Sequence, residues 1–471
     1  MLFSSFVFVA FFLVFYGLYL TLMKHVKAQN ALLLAGSWFF YAWWDWRFLG
    51  LLILSSTIDY VAGLGMRKGS PNRKKWLVAS MTSNLVILGF FKYFDFFSGS
   101  LAHLLGVFGV HADLPILAVA LPVGISFYTF QSMSYGIDVY RGEIEPIRDY
   151  LSYATFVAFF PHMVAGPIQR AVVLIPQVLK PRKIKWEQVY VGLYLIAWGY
   201  LKKVVIADNA SPIADHIFND YAKLGGLDRI LGALAFALQI YGDFSGYSDI
   251  ARGISKLMGF ELTLNFRLPY FAINPSDFWQ RWHVSLSTWL RDYLYISLGG
   301  NRGGEWKTYR NLAITMLLGG LWHGAAWNFV AWGAFHGAIL IIYRRFEKDP
   351  RHPVPGTAAW RASRVLPKMA LMFALTLLGW ILFRSHSLAQ IGGMLGGLGF
   401  SHSNETVGIA LQLLVLWLPI LAIEILEYAK HDLLVVLRWP IGIVFLFYCA
   451  VLMALSLFGS RAGSEFIYFQ F

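Results

Sequence analysis

Two segments decide how this chain is read: NPSDFWQRWHVSLSTWLRDYLYISLGG (274–300) and, after a basic loop, NLAITMLLGGLWHGAAWNFVAWGAFHG (311–337). The second is apolar, rich in Gly and Trp, and long enough to lie within a membrane. Trp322-His323-Gly324 stands in its middle. A titratable imidazole inside hydrocarbon is costly, so it marks a functional site by default. It is also the side chain whose ordinary pKa, about 6.5, suits proton transfer near neutral pH. Gly320 and Gly324 bracket His323 in a GxxxG, and Gly333 and Gly337 stand around His336 in another. That spacing lets a second helix or a substrate chain approach the backbone closely, so both are packing signals first. His323 and His336 are thirteen residues apart, which turns them about 220° from one another on a straight helix. They share no face unless Gly319-Gly320 or a kink re-aims one of them.

Composition places this stretch in a polytopic membrane protein. Apolar residues make up 58% of the 471 and charged residues only 14%, against roughly 25% charged in soluble domains. The net charge of +13 comes from Lys and Arg in short loops between apolar runs, which is the positive-inside pattern and not a nucleic-acid groove. The single cysteine, Cys449, lies in an apolar span. It excludes a disulfide framework and a Cys-based metal site. The first twenty residues lack a basic leader and a small-residue cleavage site, so they read as a retained first helix.

Apolar runs are expected to cross at 2–22, 29–44, 47–65, 76–97, 115–136, 188–206, 228–250, 365–384, 406–427 and 438–458. Basic loops at 67–75 and 141–148 alternate with the uncharged-to-acidic loop 98–114, which places the N-terminus outside. Residues 150–168 have basic loops on both sides, so they cannot be one full crossing. With Pro161 and Pro167 they read as a re-entrant or interfacial element, a hint of a cavity. Residues 311–342 are flanked by Arg310 and by Arg344, Arg345, Lys348 and Arg351, and by the same logic are expected to enter the membrane and fold back instead of crossing once. Gln239, Asp243, Ser245, Ser248 and Asp249 in 228–250 mark a bundle interior, where the carboxylates need partners such as Arg or Tyr. Residues 277–297 read as one amphipathic helix at the cytoplasmic interface, capped by Asn274 or Ser276. The expectation is thus one all-α membrane domain over 1–471, with 10–12 transmembrane helices plus re-entrant or interfacial elements around a funnel or tunnel.

His323 could abstract a proton from a hydroxyl and activate it toward an acyl carbonyl, help worth about 10² to 10⁴ in rate. His283 follows Trp282 on the amphipathic segment. Arg281, Arg291 and Asp292 near it are either a solvated face with snorkelling cations or a phosphate- or carboxylate-binding patch at a cytosolic mouth. HExxH, GxSxG, a Walker loop and a helix-opening GxGxxG are all missing, which disfavours a serine or zinc hydrolase and an ATP-driven pump.

The two histidine segments resemble the membrane-bound O-acyltransferase family, specifically its bacterial polysaccharide branch typified by alginate O-acetylation. LPVGISFYTFQSMSYGIDVYRGEI (121–144), FFPHMVAGPIQR (159–170), YGDFSGYSDIARG (241–253), NFRLPYFA (265–272) and the closing FIYFQF (466–471) carry the same likeness. The resemblance implies an α-helical enzyme around a tunnel, with the family's two motif histidines falling on His323 and His283. It implies Trp282, Arg281, Arg291, Asp292, Asp277, Trp322, Asn328 and His336 as donor- or tunnel-lining candidates, with no metal and no bound cofactor. The donor would be acetyl-CoA or another acyl thioester on the cytosolic side of a bacterial inner membrane. The acceptor would be an exported polysaccharide reached through periplasmic acetyltransferase partners. Other envelope acceptors (cellulose, peptidoglycan or a teichoic-acid-like polymer) stay open, and a transporter or flippase is a different class of reading.

Overall fold

The computed structural model describes residues 1–164, 166–346, 358–459 and 466–467, with the side chains of 358–364 left aside. Every regular element among the described residues is helical. In order they are α1 (Phe6–Thr21), α2 (Val26–Ala42), α3 (Trp46–Gly65), α4 (Arg73–Val107), α5 (Ile125–Arg141), α6 (Tyr150–Ala158), α7 (Phe160–Met163), α8 (Ala171–Leu179) and α9 (Trp186–Asp220). There follow α10 (Gly226–Leu257), α11 (Pro275–Arg281), α12 (Val284–Trp289), α13 (Glu305–His323), α14 (Trp327–Phe346), α15 (Ala358–Arg384), α16 (Leu388–Gly396), α17 (Thr406–Lys430) and α18 (Ile441–Phe458).

Six helices among the described residues are long and apolar enough to cross a membrane: α3, α4, α9, the Val365–Arg384 part of α15, α17 and α18. Helix α1 is apolar but shorter. A helix leaves no backbone group unpaired in hydrocarbon, which is why such apolar runs fold this way. The chain is a multi-pass, all-α membrane protein. The apolar run 115–136 is only partly helical, since α5 begins at Ile125. Pro122 and Gly124, at φ +74°, stop the helix from extending backward. The expected loop 98–114 is largely helix, because α4 runs on through a π turn at Gly89–Tyr93 to Val107.

The chain divides into two compact units. The first comprises Met1–Ile196 with Ile250–Thr263. Within it, 150–168 is broken as expected, into α6 and the four-residue α7. Phe156 through Phe160, His162 and Met163 are all buried. Protein answers the irregular backbone here: Gln131 Nε2 donates to the Phe156 carbonyl (2.6 Å), and the Phe160 N–H donates to Ser37 Oγ (3.1 Å). His162 Nε2 pairs with Gln131 Oε1 at 2.8 Å, so this histidine props the break.

The second unit comprises Ala197–Asp249 with Leu264–Phe471. In it α9 widens into a π segment at Leu201–Ala207. That lets two consecutive lysines, Lys202 and Lys203, both turn inward and become buried. Lys203 Nζ lies 2.9 Å from Asp208 Oδ1 and 2.8 Å from Asp243 Oδ1, while Lys202 pairs with Asp249. The acids expected to find Arg or Tyr thus pair with lysines of a neighbouring span. Gln239, Ser245 and Ser248 are buried, as their place in a bundle interior requires. Phe466 and Ile467 are buried, and the Ile467 N–H donates to Asp243 Oδ2 at 2.7 Å. Lys348, Arg351 and the last four residues of FIYFQF lie outside the described residues.

Candidate active site

The site is built within the second unit from a broken helix and a helical hairpin. Residues 277–297 are not one surface helix. Asn274 Oδ1 caps α11 through the Asp277 N–H (2.7 Å), as expected, but α11 stops at Arg281. Trp282 is extended and His283 sits at φ +43°, ψ +53°, before α12 starts. A non-glycine residue in that region is strained and needs its surroundings to hold it. Two backbone bonds do so: Val284 N–H to the Asn265 carbonyl and Arg267 N–H to the Arg281 carbonyl, each 2.9 Å. Phe278, Trp282, His283, Leu286 and Trp289 are buried, so the segment packs inside protein and not along an interface.

Asn265 also fixes the His283 ring. Its Oδ1 accepts the Ser285 N–H (3.3 Å) and Ser285 Oγ–H (2.9 Å), while its Nδ2 donates to Ser248 Oγ (3.2 Å). A backbone N–H can only donate, so the atom facing it is the amide oxygen. His283 Nδ1, 3.1 Å from the same oxygen, must then carry the hydrogen. Nε2 is left as the ring's lone-pair nitrogen when His283 is neutral.

His323 is the last residue of α13, and α14 starts at Trp327. The stretch 311–342 therefore folds back on itself. Its glycines make the hairpin. A Cβ on Gly320 would lie 2.2 Å from the Phe329 carbonyl oxygen, and one on Gly333 would lie 2.4 Å from the Met316 oxygen. The turn brings histidines on antiparallel helices to one column of rings, which a straight helix could not do. His323 centres 5.0 Å from Trp332, and Trp332 centres 4.6 Å from His336. His323 also meets Trp322 (5.1 Å), Phe383 (5.4 Å) and His283 (6.4 Å). It is 4% exposed and His283 is 0% exposed.

The other expected residues divide. Trp282 and Trp322 are buried in this aromatic core. Asn328 Nδ2 donates to the Phe383 carbonyl (3.0 Å), holding the ring that flanks His323. Asp277 and Arg281 form an ion pair (2.7 Å) and line a cleft of about 790 Å³ with Ser276, Gln280, Glu305, Leu340 and Arg344. With two cations and two carboxylates this mouth is mixed in charge, not basic. Arg291 is 60% exposed in its side chain, pairs with Asp292 at 2.6 Å, and does not line that cleft. Sequence reasoning missed Asn265, Trp332 and the two lysines. Asn265 opens NFRLPYFA, and a lysine pair inside an apolar run signals buried carboxylate partners. Among the described residues no three His, Cys, Asp or Glu side chains are placed to hold a metal ion.

A profile described as MBOAT, membrane-bound O-acyltransferase family, matches residues 146–383. That interval holds both histidines and the whole hairpin. The chain belongs to the membrane-bound O-acyltransferase family. It is 45% identical over 394 residues to the probable alginate O-acetylase AlgI of Azotobacter vinelandii, covering 82% of this chain and 76% of that one. It is 36% identical over 404 residues to the peptidoglycan O-acetyltransferase of Helicobacter pylori, at 78% and 74% coverage. A teichoic acid D-alanyltransferase of Bacillus subtilis is 29% identical over 246 residues, at 48% and 60% coverage. This membrane-bound O-acyltransferase lies on the alginate O-acetylase branch, and the buried histidine pair is its candidate active site.

Proposed function

We propose that this enzyme moves an acetyl group from a cytosolic acyl thioester toward an exported polysaccharide, with His323 as general base. The observation that carries the reading is the buried pair His323–His283, 6.4 Å between ring centres, at the end of a helical hairpin. In this reading His323 takes the proton of an acceptor hydroxyl as its oxygen attacks the thioester carbonyl. The C–S bond breaks and the proton passes from His323 to the departing thiolate. The negative end of the α13 dipole stabilises the charge that His323 gains, by about 0.3–1 kcal/mol. His283, its Nδ1–H held by Asn265, offers Nε2 as an acceptor when neutral. It therefore faces the hydroxyl and orients it, and leaves polarisation of the thioester carbonyl to other groups. Aromatic walls keep water from the thioester.

The relatives that act on alginate and on peptidoglycan support an envelope polymer as acceptor, and the alginate-type branch favours an alginate-like polysaccharide. The distribution of basic loops favours an inner membrane with the N-terminus on the periplasmic side, so the acetyl group would leave to periplasmic partner proteins. The test is an ester inventory of each envelope polymer in a deletion strain and its complemented parent. Loss of acetyl esters from the exported polysaccharide alone is the expected result. Loss confined to peptidoglycan or to a teichoic-acid-like polymer would overturn the choice of acceptor.

A further inference from the structure

Three buried rings close around His323. Trp332, Trp322 and Phe383 centre 5.0, 5.1 and 5.4 Å from it, at 85°, 79° and 74° to its plane. That spacing is edge-to-face contact, so no methylene fits between these rings as they stand. His283 is further off, at 6.4 Å, so the reacting groups meet in the gap between the two histidines. Of the three contacting rings only Phe383 is all carbon, since each indole presents an N–H. The apolar end of an acyl group therefore turns to Phe383. That ring cannot recede. Phe329, Trp332 and Trp380 back it at 4.9, 5.5 and 5.8 Å. Phe329 is itself seated over Gly324, where a Cβ would lie 2.0 Å from the Phe329 ring. The backbone is pinned as well. Asn328 Nδ2 donates to the Phe383 carbonyl (3.0 Å), and the next residue, Arg384, pairs with Asp215 on α9 (2.6 Å).

From this we infer that Phe383 is the wall that limits the transferred acyl group to two carbons. The acetyl methyl lies against its ring, and every further carbon would have to displace that ring. The inference rests on the acyl-thioester reading above and adds the size of the group carried. The bonds made and broken are the same for any acyl length: the C–S bond breaks, the C–O bond forms, and the hydroxyl proton reaches the thiolate through His323. The selection is steric. Interiors packed to crystal density do not yield to an added methylene, and one methylene of misfit in a closed apolar pocket changes kcat/KM about 10- to 200-fold.

The test is a ladder of acetyl-, propionyl- and butyryl-CoA given to everted membrane vesicles that carry the full chain. The readout is the initial release of free coenzyme A above the His323→Ala background. Wild type should use propionyl-CoA at least about tenfold less well than acetyl-CoA, and butyryl-CoA less well again. Phe383→Leu should raise the propionyl-to-acetyl ratio about tenfold or more, and Phe383→Ala should extend the gain to butyryl-CoA. Each ratio is internal to one preparation, so a smaller folded fraction does not move it. Phe218→Leu removes a buried ring that packs on Phe236 one layer further out, and it should leave the ratio at the wild-type value. Wild-type rates within threefold across the ladder overturn the wall. So does an unmoved ratio in Phe383→Leu while acetyl transfer persists. If wild type releases no coenzyme A from acetyl-CoA above background, the thioester reading itself fails and the inference falls with it.

Discussion

Asn265 and His283 are eighteen residues apart in the chain and 3.1 Å apart at Oδ1 and Nδ1. Because the same oxygen accepts a backbone N–H from Ser285, the contact sets the tautomer of the histidine as well as its position. Asn265→Ala should lower kcat by roughly tenfold to hundredfold, the scale of a small misplacement of a reacting group. Asn265→Asp should restore position but not chemistry. A carboxylate facing Nδ1–H favours the doubly protonated ring, which has no lone pair to offer. The acid limb of the pH–rate profile should therefore move to higher pH, with activity recovering as pH rises. An unmoved profile in Asn265→Asp would remove Asn265 from the mechanism.

The hairpin predicts that two glycines of one GxxxG differ. At Gly333 a methyl would meet the Met316 carbonyl oxygen at 2.4 Å, and backbone cannot swing away. At Gly337 the nearest atom would be Met316 Cβ at 3.5 Å, an ordinary contact. Gly333→Ala should cost about 1–3 kcal/mol through overpacking and lower the thermal midpoint of the purified protein. Gly337→Ala should be close to neutral in the same melt.

Much of this fold was legible because the signals are local. Long apolar runs and the flanking basic residues give the membrane helices, and the double set of cations around 311–342 gives the fold-back. His323 was legible as a candidate because hydrocarbon penalises an imidazole, whereas His283, read on an interfacial helix, was singled out by the family resemblance. What sequence hides is set by long-range contact. The break at Trp282-His283 depends on Asn265 pairing with Val284, and no residue within 277–297 announces it. An amphipathic period cannot show that both faces are buried. Nor can it show that Arg281 and Arg291 part company, one to the cleft and one to the surface.

That separation gives a direct comparison. Arg291 pairs with its neighbour Asp292 at the surface, and exposed pairs contribute about 0–1 kcal/mol. Arg291→Ala should leave both stability and donor affinity near wild type. Arg281 links Asp277 to the cleft wall. Arg281→Ala should raise the donor KM with a smaller effect on kcat, measured by steady-state transfer.

Lys203 sits between Asp208 and Asp243 with 1% of its side chain exposed. Removing one partner of a buried ionic group costs about 3–5 kcal/mol, because the charges left behind stay buried. Lys203→Met should sharply reduce the folded fraction recovered from membranes. Adding Asp243→Asn should recover part of it. Monodispersity on gel filtration reads both.

The most direct test of the central claim is the O-acetyl ester content of the exported polysaccharide in cells carrying His323→Ala at membrane levels matched to wild type. Loss of esters with the protein abundant and folded is the result expected of a general base. Esters near the wild-type level would make His323 a packing residue and contradict the mechanism.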